Sequence, residues 1–251
     1  MQQQQYYDAE AASYHEDNML MDDKVEEQIR RGFIQKIYGI LSIQLLITVG
    51  IAGPLVVFDA PMQFIEANPW LVYLTMAVYF TTFIILACCS GVARSFPANY
   101  ICLFIFTGCM GLLVGVTSSY YTQASVLLAF IATAGITIGM TMLAFFTKID
   151  FTKYGAYLAA ALLGLMVMGL ILMITSWFTA FKNLQFAYKI YAALGAILFS
   201  FYIVYDTQLI VGGKHHQHQF SVDDYVFAAL NIYLDIINLF IYLLRLFGER
   251  R

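Results

Sequence analysis

The chain has 251 residues, of which 61% are hydrophobic and only 12% are charged, with a net charge of −3 and a mean hydropathy of +0.73. A soluble domain carries about 25% charged residues, so half of the expected charged surface is missing. The negative net charge and the pI of 5.7 exclude the basic surface that a nucleic-acid-binding protein needs. This composition excludes an ordinary soluble enzyme and predicts an integral membrane protein.

The first 30 residues differ in composition from the rest of the chain. Residues 1–29 hold eight acids against one lysine and contain almost no aliphatic run. Such a segment buries too little apolar area to offset the entropy lost on ordering. We therefore expect residues 1–30 to form a disordered acidic tail in the cytosol, and residues 31–251 to form one membrane domain.

Long uncharged stretches dominate the remaining sequence, and the longest covers residues 95–147. A helix needs about 20 apolar residues to cross a bilayer, whereas the strands of a membrane barrel are short and alternate in polarity. Proline, asparagine, glycine and lysine divide the apolar stretches into seven segments. We predict an all-α bundle of seven transmembrane helices, at about residues 37–58, 70–90, 99–119, 125–147, 155–178, 188–211 and 225–247.

The distribution of lysine and arginine predicts the orientation, because cytosolic loops of membrane proteins carry more of them. With the N-terminus in the cytosol, eight of these residues fall on the cytosolic side and five on the far side. We therefore expect a cytosolic N-terminus. The basic run at residues 245–251 conflicts with this rule if the seventh span crosses fully. That span either crosses or re-enters and leaves the C-terminus in the cytosol.

Two of the predicted spans carry a carboxylate, namely Asp206 in span six and Asp235 in span seven. An acid in mid-span costs roughly 2.5–3.5 kcal/mol on insertion scales, which makes it a functional candidate. Consecutive spans form an antiparallel hairpin, and residues 221–224 resemble a capping box that would start the seventh helix. This arrangement predicts that the two carboxylates meet at a similar depth.

The chemistry of such a pair allows more than one role. Two carboxylates about 4 Å apart repel by roughly 4 kcal/mol at an effective dielectric of about 20, so the pair tends to share a proton or to bind a cation. Calcium takes about six to eight oxygen ligands, and the polar stripe of Asn231, Asp235 and Asn238 on span seven could supply some of them. The alternative is a protonated acid–acid hydrogen bond that only ties the last two spans together.

A second polar cluster follows span six. His215, His216 and His218 could bind a transition metal or sense pH near neutrality, or they belong to an ordinary solvated loop. Inside the spans we find no nucleophile–base pair and no cluster of metal ligands. We therefore predict that the chain is not an enzyme and holds no cofactor.

Four stretches of this sequence together carry a family resemblance. They are residues 30–38 with Gln44-Leu45-Leu46, residues 147–152, Tyr205-Asp206-Thr207-Gln208, and residues 224–240. Over about residues 30–251 the chain resembles the Lifeguard branch of the transmembrane Bax-inhibitor-motif superfamily. This resemblance implies a seven-span fold, a pH-sensitive calcium leak across the endoplasmic reticulum or Golgi membrane, and suppression of apoptosis. The implied partners are the lipid bilayer, calcium, protons and apoptosis-regulating membrane proteins.

The resemblance also assigns roles to particular residues. In that family a pair of aspartates on the last two spans acts as the pH sensor, and these positions fall here on Asp206 and Asp235. Bacterial relatives gate with a basic residue on span two, but Arg94 lies in the loop after that span, so this role is not transferred. Two other functions stay open: a non-conducting scaffold that suppresses cell death by binding partner proteins, and a proton-coupled calcium exchanger.

Overall fold

The computed structural model describes residues 2–178, 181–212 and 217–251, with side chains over 24–89, 91–178, 184–212 and 217–251. Within these ranges every long element is a helix, as expected where no water is available to bind free backbone N–H and C=O groups. The helices are α1 (Gln2–Val57), α2 (Asp59–Ala67), α3 (Trp70–Cys88), α4 (Ser90–Ala93), α5 (Ala98–Ser119), α6 (Gln123–Phe146), α7 (Gly155–Phe178), α8 (Phe181–Val211) and α9 (Tyr225–Phe247). A 3-10 turn at Phe151–Tyr154 leads into α7.

Seven helices in the described part of the chain are long and apolar enough to cross a membrane, which confirms the predicted fold class. The spanning segments are Lys24–Val57, Trp70–Cys88, Ala98–Ser119, Gln123–Phe146, Phe151–Phe178, Leu184–Val211 and Tyr225–Phe247. Most of the predicted bounds agree with these to within a few residues. The first helix is the exception, because it extends well before the predicted span.

Helix α1 begins at Gln2, so it runs through the predicted boundary between tail and membrane domain. Residues 2–30, which we expected to form a disordered tail, are the first part of this helix, and the described side chains start at Lys24. The division of the chain at residue 30 therefore stays a prediction.

Helix α9 lies at the centre of the bundle, where it packs against α8, α1, α6 and α5. In the most apolar 18-residue stretch of α8, and also of α9, 67% of the residues are buried inside the bundle. In the corresponding stretches of α3, α6 and α7 only 11% are buried. A polar side chain on the buried surface of α9 is therefore shielded from lipid. Such a position is where intramembrane carboxylates are normally found.

The two ends of α9 lie on opposite faces of the bundle. Before its start, the Asp224 carboxylate accepts two hydrogen bonds from Arg94, at 2.7 and 3.2 Å. After its end, Arg251 N donates to Tyr120 O (2.9 Å) and the Arg251 guanidinium donates to Val56 O (3.0 Å). The seventh span is one continuous helix between these two faces, the geometry that the crossing alternative requires; the side of the C-terminus stays a prediction. We call the face with Arg94 the N-terminal face and the face with Arg251 the C-terminal face.

Candidate ion site

The structure brings the two predicted carboxylates together at the interface of α8 and α9. A side-chain hydrogen bond joins Asp206 to Asp235, and each residue is only 5% exposed. An ionised carboxylate has no donor, so this bond exists only when the pair holds at least one proton. The pair is therefore a buried site that a shared proton or a bound cation would stabilise.

The acid pair lies closer to the N-terminal face than the hairpin geometry predicts. Asp206 is five residues before the end of α8, and Asp235 is ten residues after the start of α9. These positions correspond to about 8 Å and about 15 Å along the helix axes. The offset is accommodated because the chain folds back after α8, where Phe220 N donates to Leu209 O at 3.0 Å.

The start of α9 corrects a second detail of the sequence analysis. The predicted capping box at residues 221–224 does not form: α9 begins at Tyr225, and its N-cap Asp224 makes no side-chain capping bond. The Asp224 carboxylate instead binds Arg94, and this hydrogen bond raises the pKa of Arg94. Arg94 thus remains charged over the physiological pH range and serves as an anchor for α9 rather than as a pH-responsive group.

The predicted polar stripe on α9 is only partly directed at the pair. Asn231 and Asn238 are half-buried, and Asn238 Nδ2 donates to Leu234 O of its own helix at 2.8 Å. Among the described side chains no hydrogen bond joins either amide to the acid pair. Tyr202 of α8, by contrast, lies within electrostatic range of both carboxylates. The supporting role of the two asparagines stays a prediction.

Gln208 is a structural residue of this region to which the sequence analysis assigned no role of its own. It is fully buried, its Oε1 accepts from Phe151 N at 2.7 Å, and its Nε2 donates to Ile149 O at 2.9 Å. The side chain therefore fastens the connection between α6 and α7 to the last turns of α8. An amide two residues after the intramembrane Asp206 was the available signal for such a role.

Two chain segments lie together at the N-terminal face and cover this end of α8. Asp150 Oδ2 accepts from Gln217 N at 3.1 Å, and Thr152 Oγ1 accepts from His218 N at 3.3 Å. We call residues 149–152 together with residues 217–220 the N-terminal cover. In the N-terminal cover, side chains of the loop before α7 accept hydrogen bonds from backbone N–H groups of the loop before α9. The two loops are thereby joined.

The histidine cluster predicted from the sequence lies in this loop only in part. His215 and His216 lie outside the described residues, and His218 contributes its backbone N–H to the N-terminal cover. Over the described ranges no group of three or more His, Cys, Asp or Glu side chains lies close enough to hold a metal ion. The metal-binding and pH-sensing roles of the three histidines stay predictions.

Buried polar contacts also join α1 to the helices around it. Gln44 Nε2 donates to Thr107 Oγ1 of α5 at 3.0 Å. The hydroxyls of Thr48 and Tyr233 of α9 lie 2.7 Å apart. Since polar side chains inside a membrane bundle bond across helices, these contacts fix α1 against both α5 and the central helix.

Comparisons with known proteins agree with this arrangement. The model of the family described as "Inhibitor of apoptosis-promoting Bax1" matches residues 30–251. Human protein lifeguard 3 is 40% identical over 225 residues, which is 90% of this chain and 71% of its own length. The chain belongs to the Lifeguard branch of the Bax-inhibitor-motif superfamily. This Lifeguard-family chain is also 39% identical to mouse protein lifeguard 3 over the same shares of each chain.

A more distant relative extends the comparison. Bax inhibitor 1 of Schizosaccharomyces pombe is 30% identical over 222 residues, which is 88% of this chain and 78% of its own length. Residues 30–251, which the family model matches, contain the acid pair. The Lifeguard-family chain is thus a member of a group of anti-apoptotic membrane proteins.

Proposed function

We propose that this Lifeguard-family chain forms a pH-regulated calcium leak pathway across an endoplasmic reticulum or Golgi membrane, with its N-terminus in the cytosol. Through this leak it lowers the calcium content of the organelle and suppresses cell death. The observation that carries the proposal is the hydrogen-bonded Asp206–Asp235 pair, which lies between the central helix and α8. Membership of an anti-apoptotic membrane family supports the cellular part of the proposal.

The protonation state of the pair decides whether α8 and α9 attract or repel. With a proton between them, the two carboxyl groups hold the helices together. When both are ionised at about 4 Å, they repel by roughly 4 kcal/mol at an effective dielectric of about 20. A cation that enters between them removes this repulsion. Proton and calcium therefore compete for the same oxygens, and higher pH favours calcium.

The composition of the site suits passage of calcium better than storage. The two aspartates offer at most about four oxygens, and calcium needs about six to eight. Water and backbone carbonyls must complete the coordination shell. Calcium affinity rises with the number of charged ligands, so a site with two carboxylates binds weakly and releases the ion readily, as a leak requires.

The test is calcium efflux from proteoliposomes that contain the wild type, Asp206→Asn or Asp235→Asn, measured between about pH 6 and pH 8. Asp223→Asn is the matched control, because Asp223 lies on the same hairpin but is exposed. We expect efflux through the wild type and the control to rise with pH, and efflux through the two other variants to lose this dependence.

Two other results would replace the proposal. Unchanged efflux and unchanged pH response in both Asp206→Asn and Asp235→Asn would favour the non-conducting scaffold. Calcium flux that follows an imposed pH gradient, rather than the calcium gradient alone, would favour the proton-coupled exchanger.

A further inference from the structure

A single guanidinium group joins the start of the first span to the end of the sixth. Arg30 donates from Nε to Val211 O (3.0 Å), from Nη1 to Phe220 O (2.7 Å) and from Nη2 to Leu209 O (2.8 Å). All three acceptors are backbone carbonyls of the last turn of α8 or of the loop that follows it. Hydrogen bonds from a charged donor are stronger than those from a neutral one. These three bonds therefore hold α1, the end of α8 and the loop after it firmly together at the N-terminal face.

The neighbouring arginine shows that the contact is specific. Arg31 pairs with Glu27 one turn earlier in α1 at 2.6 Å, and its side chain is 73% exposed. An exposed pair of this kind contributes little to stability. Two adjacent arginines with the same charge therefore have different surroundings, and only Arg30 reaches the end of α8.

The end of α8 is shaped to receive this side chain. The last carbonyls of a helix have no partner within the helix. Gly212 has a left-handed φ of +58°, and its N–H bonds to Gln208 O at 2.9 Å, as in a glycine C-cap. A Cβ at Gly212 would overlap with Arg30 Nη2. The guanidinium thus fills the space beside the glycine and places a positive charge at the negative end of the helix dipole.

The contact fixes the part of the molecule that lies between the acid pair and the N-terminal face. Leu209 follows Asp206 by three residues in α8, and Phe220 belongs to the N-terminal cover. In the described part of the chain, Arg30 has no hydrogen bond or ion pair to either acid of the pair. Its effect on the pair therefore passes through the last turn of α8.

We propose that Arg30 is a positioning residue that latches the closed state, in which the Asp206–Asp235 pair shares a proton and α8 and α9 are held together. Its guanidinium holds the last turn of α8 and the N-terminal cover against α1, and its release lets them move away from the pair. This inference rests on the proposed function, because it names what regulates the same site. The charged or titratable groups on the elements packed around the latch are Glu26, Asp150, Lys153, Tyr202, Tyr205, Asp206, His218 and Asp235.

The test compares calcium efflux through Arg30→Gln with that through Arg31→Gln, the matched control, at about pH 6 and about pH 8. Arg30→Gln removes three charge-assisted hydrogen bonds, and the loss of even one of them lets the closed state open about tenfold more often, at about 1.4 kcal/mol per tenfold. We expect Arg30→Gln to raise efflux at the lower pH by at least about tenfold and to reduce the ratio of efflux at the higher pH to efflux at the lower pH. Arg31→Gln should match the wild type.

Two further variants separate a latch from a general loss of stability. Arg30→Lys keeps the charge but cannot reach three carbonyls as a planar fork does, so its efflux ratio should lie between those of the wild type and Arg30→Gln. In an Asp206→Asn background, Arg30→Gln should leave the ratio unchanged. Equal loss of efflux at both pH values, or equal behaviour of Arg30→Gln and Arg31→Gln, would overturn the latch.

A structural measurement keeps the latch distinct from the proposed function. Hydrogen exchange of the backbone amides of residues 207–212 and 217–220 should be faster in Arg30→Gln, or in Arg30→Lys if the first variant does not fold, and unchanged in Arg31→Gln. If wild-type efflux does not depend on Asp206, the proposed function is wrong. Faster exchange in the Arg30 variants would then still show that Arg30 holds the end of α8 and the N-terminal cover in place. Unchanged exchange in the Arg30 variants would overturn it.

Discussion

Three glycines of α5 allow a graded test of how closely α5 packs against α1. A Cβ at Gly115 would lie 2.9 Å from the backbone Cα of Ala52, whereas a Cβ at Gly111 would lie 3.3 Å from the Cα of Thr48. A Cβ at Gly108 would meet nothing within 4 Å. Substitution by alanine at these three sites adds the same methyl group to the same helix, so the three variants differ only in what that group touches.

The expected stabilities follow from two opposing effects. Alanine in a helix interior is favoured over glycine by about 1 kcal/mol. Overpacking costs about 1–3 kcal/mol, and a carbon–carbon distance of 2.9 Å is shorter than the optimum of about 3.5–4.0 Å. We therefore expect Gly108→Ala to gain up to about 1 kcal/mol, Gly111→Ala to change little, and Gly115→Ala to lose about 2 kcal/mol because α1 must move away.

The three variants can be ranked by reversible unfolding with SDS in mixed micelles, or by thermal unfolding in one detergent. The decisive comparison is between Gly115→Ala and Gly108→Ala, since helix propensity cancels between them. If Gly115→Ala is as stable as Gly108→Ala, the two helices do not touch at this point, and the close approach of α1 and α5 is refuted.

Two other predictions concern buried polar side chains. Gln208→Leu should destabilise the protein by about 2–6 kcal/mol, because it leaves Phe151 N and Ile149 O without partners at about 1–3 kcal/mol each. Limited proteolysis of that segment should become faster, and unchanged cleavage would contradict the contact. For Tyr233→Phe and Thr48→Val, a double-mutant cycle of unfolding free energies should give a coupling of about 0.6–1.7 kcal/mol. A coupling of zero would show that the two hydroxyls do not bond.

The fold and the acid pair could be predicted because each depends on a local property of the sequence. A span is recognised from about 20 consecutive residues of high hydropathy. An acid within such a span is costly wherever it points, so Asp206 and Asp235 stand out before any contact is known. Their proximity followed from the hairpin that consecutive spans must form, although the folded-back loop shifted the pair toward the N-terminal face.

The contacts around the pair could not be predicted in the same way. Arg30 and Gln208 bind backbone carbonyls and amides of distant segments, and a backbone group leaves no trace in the amino-acid sequence. The capping box failed for a related reason: Asp224 is bound by Arg94 from another loop, and a local motif cannot show that its carboxylate is already engaged. Such contacts depend on which loops meet at one face of the bundle.

The position of the pair along α9 also constrains how a cation could pass. From Asp235 to the end of α9 at Phe247 is about 18 Å, and Ile236, Leu239 and Leu243 are buried along this half. In the proposed pathway, release of the N-terminal cover would expose the pair to one face only. In the same half, the hydroxyls of Tyr191 and Tyr242 join α8 to α9 at 3.0 Å. Passage to the C-terminal face therefore requires α9 to move relative to α8, and the repulsion of two ionised aspartates acts across that interface.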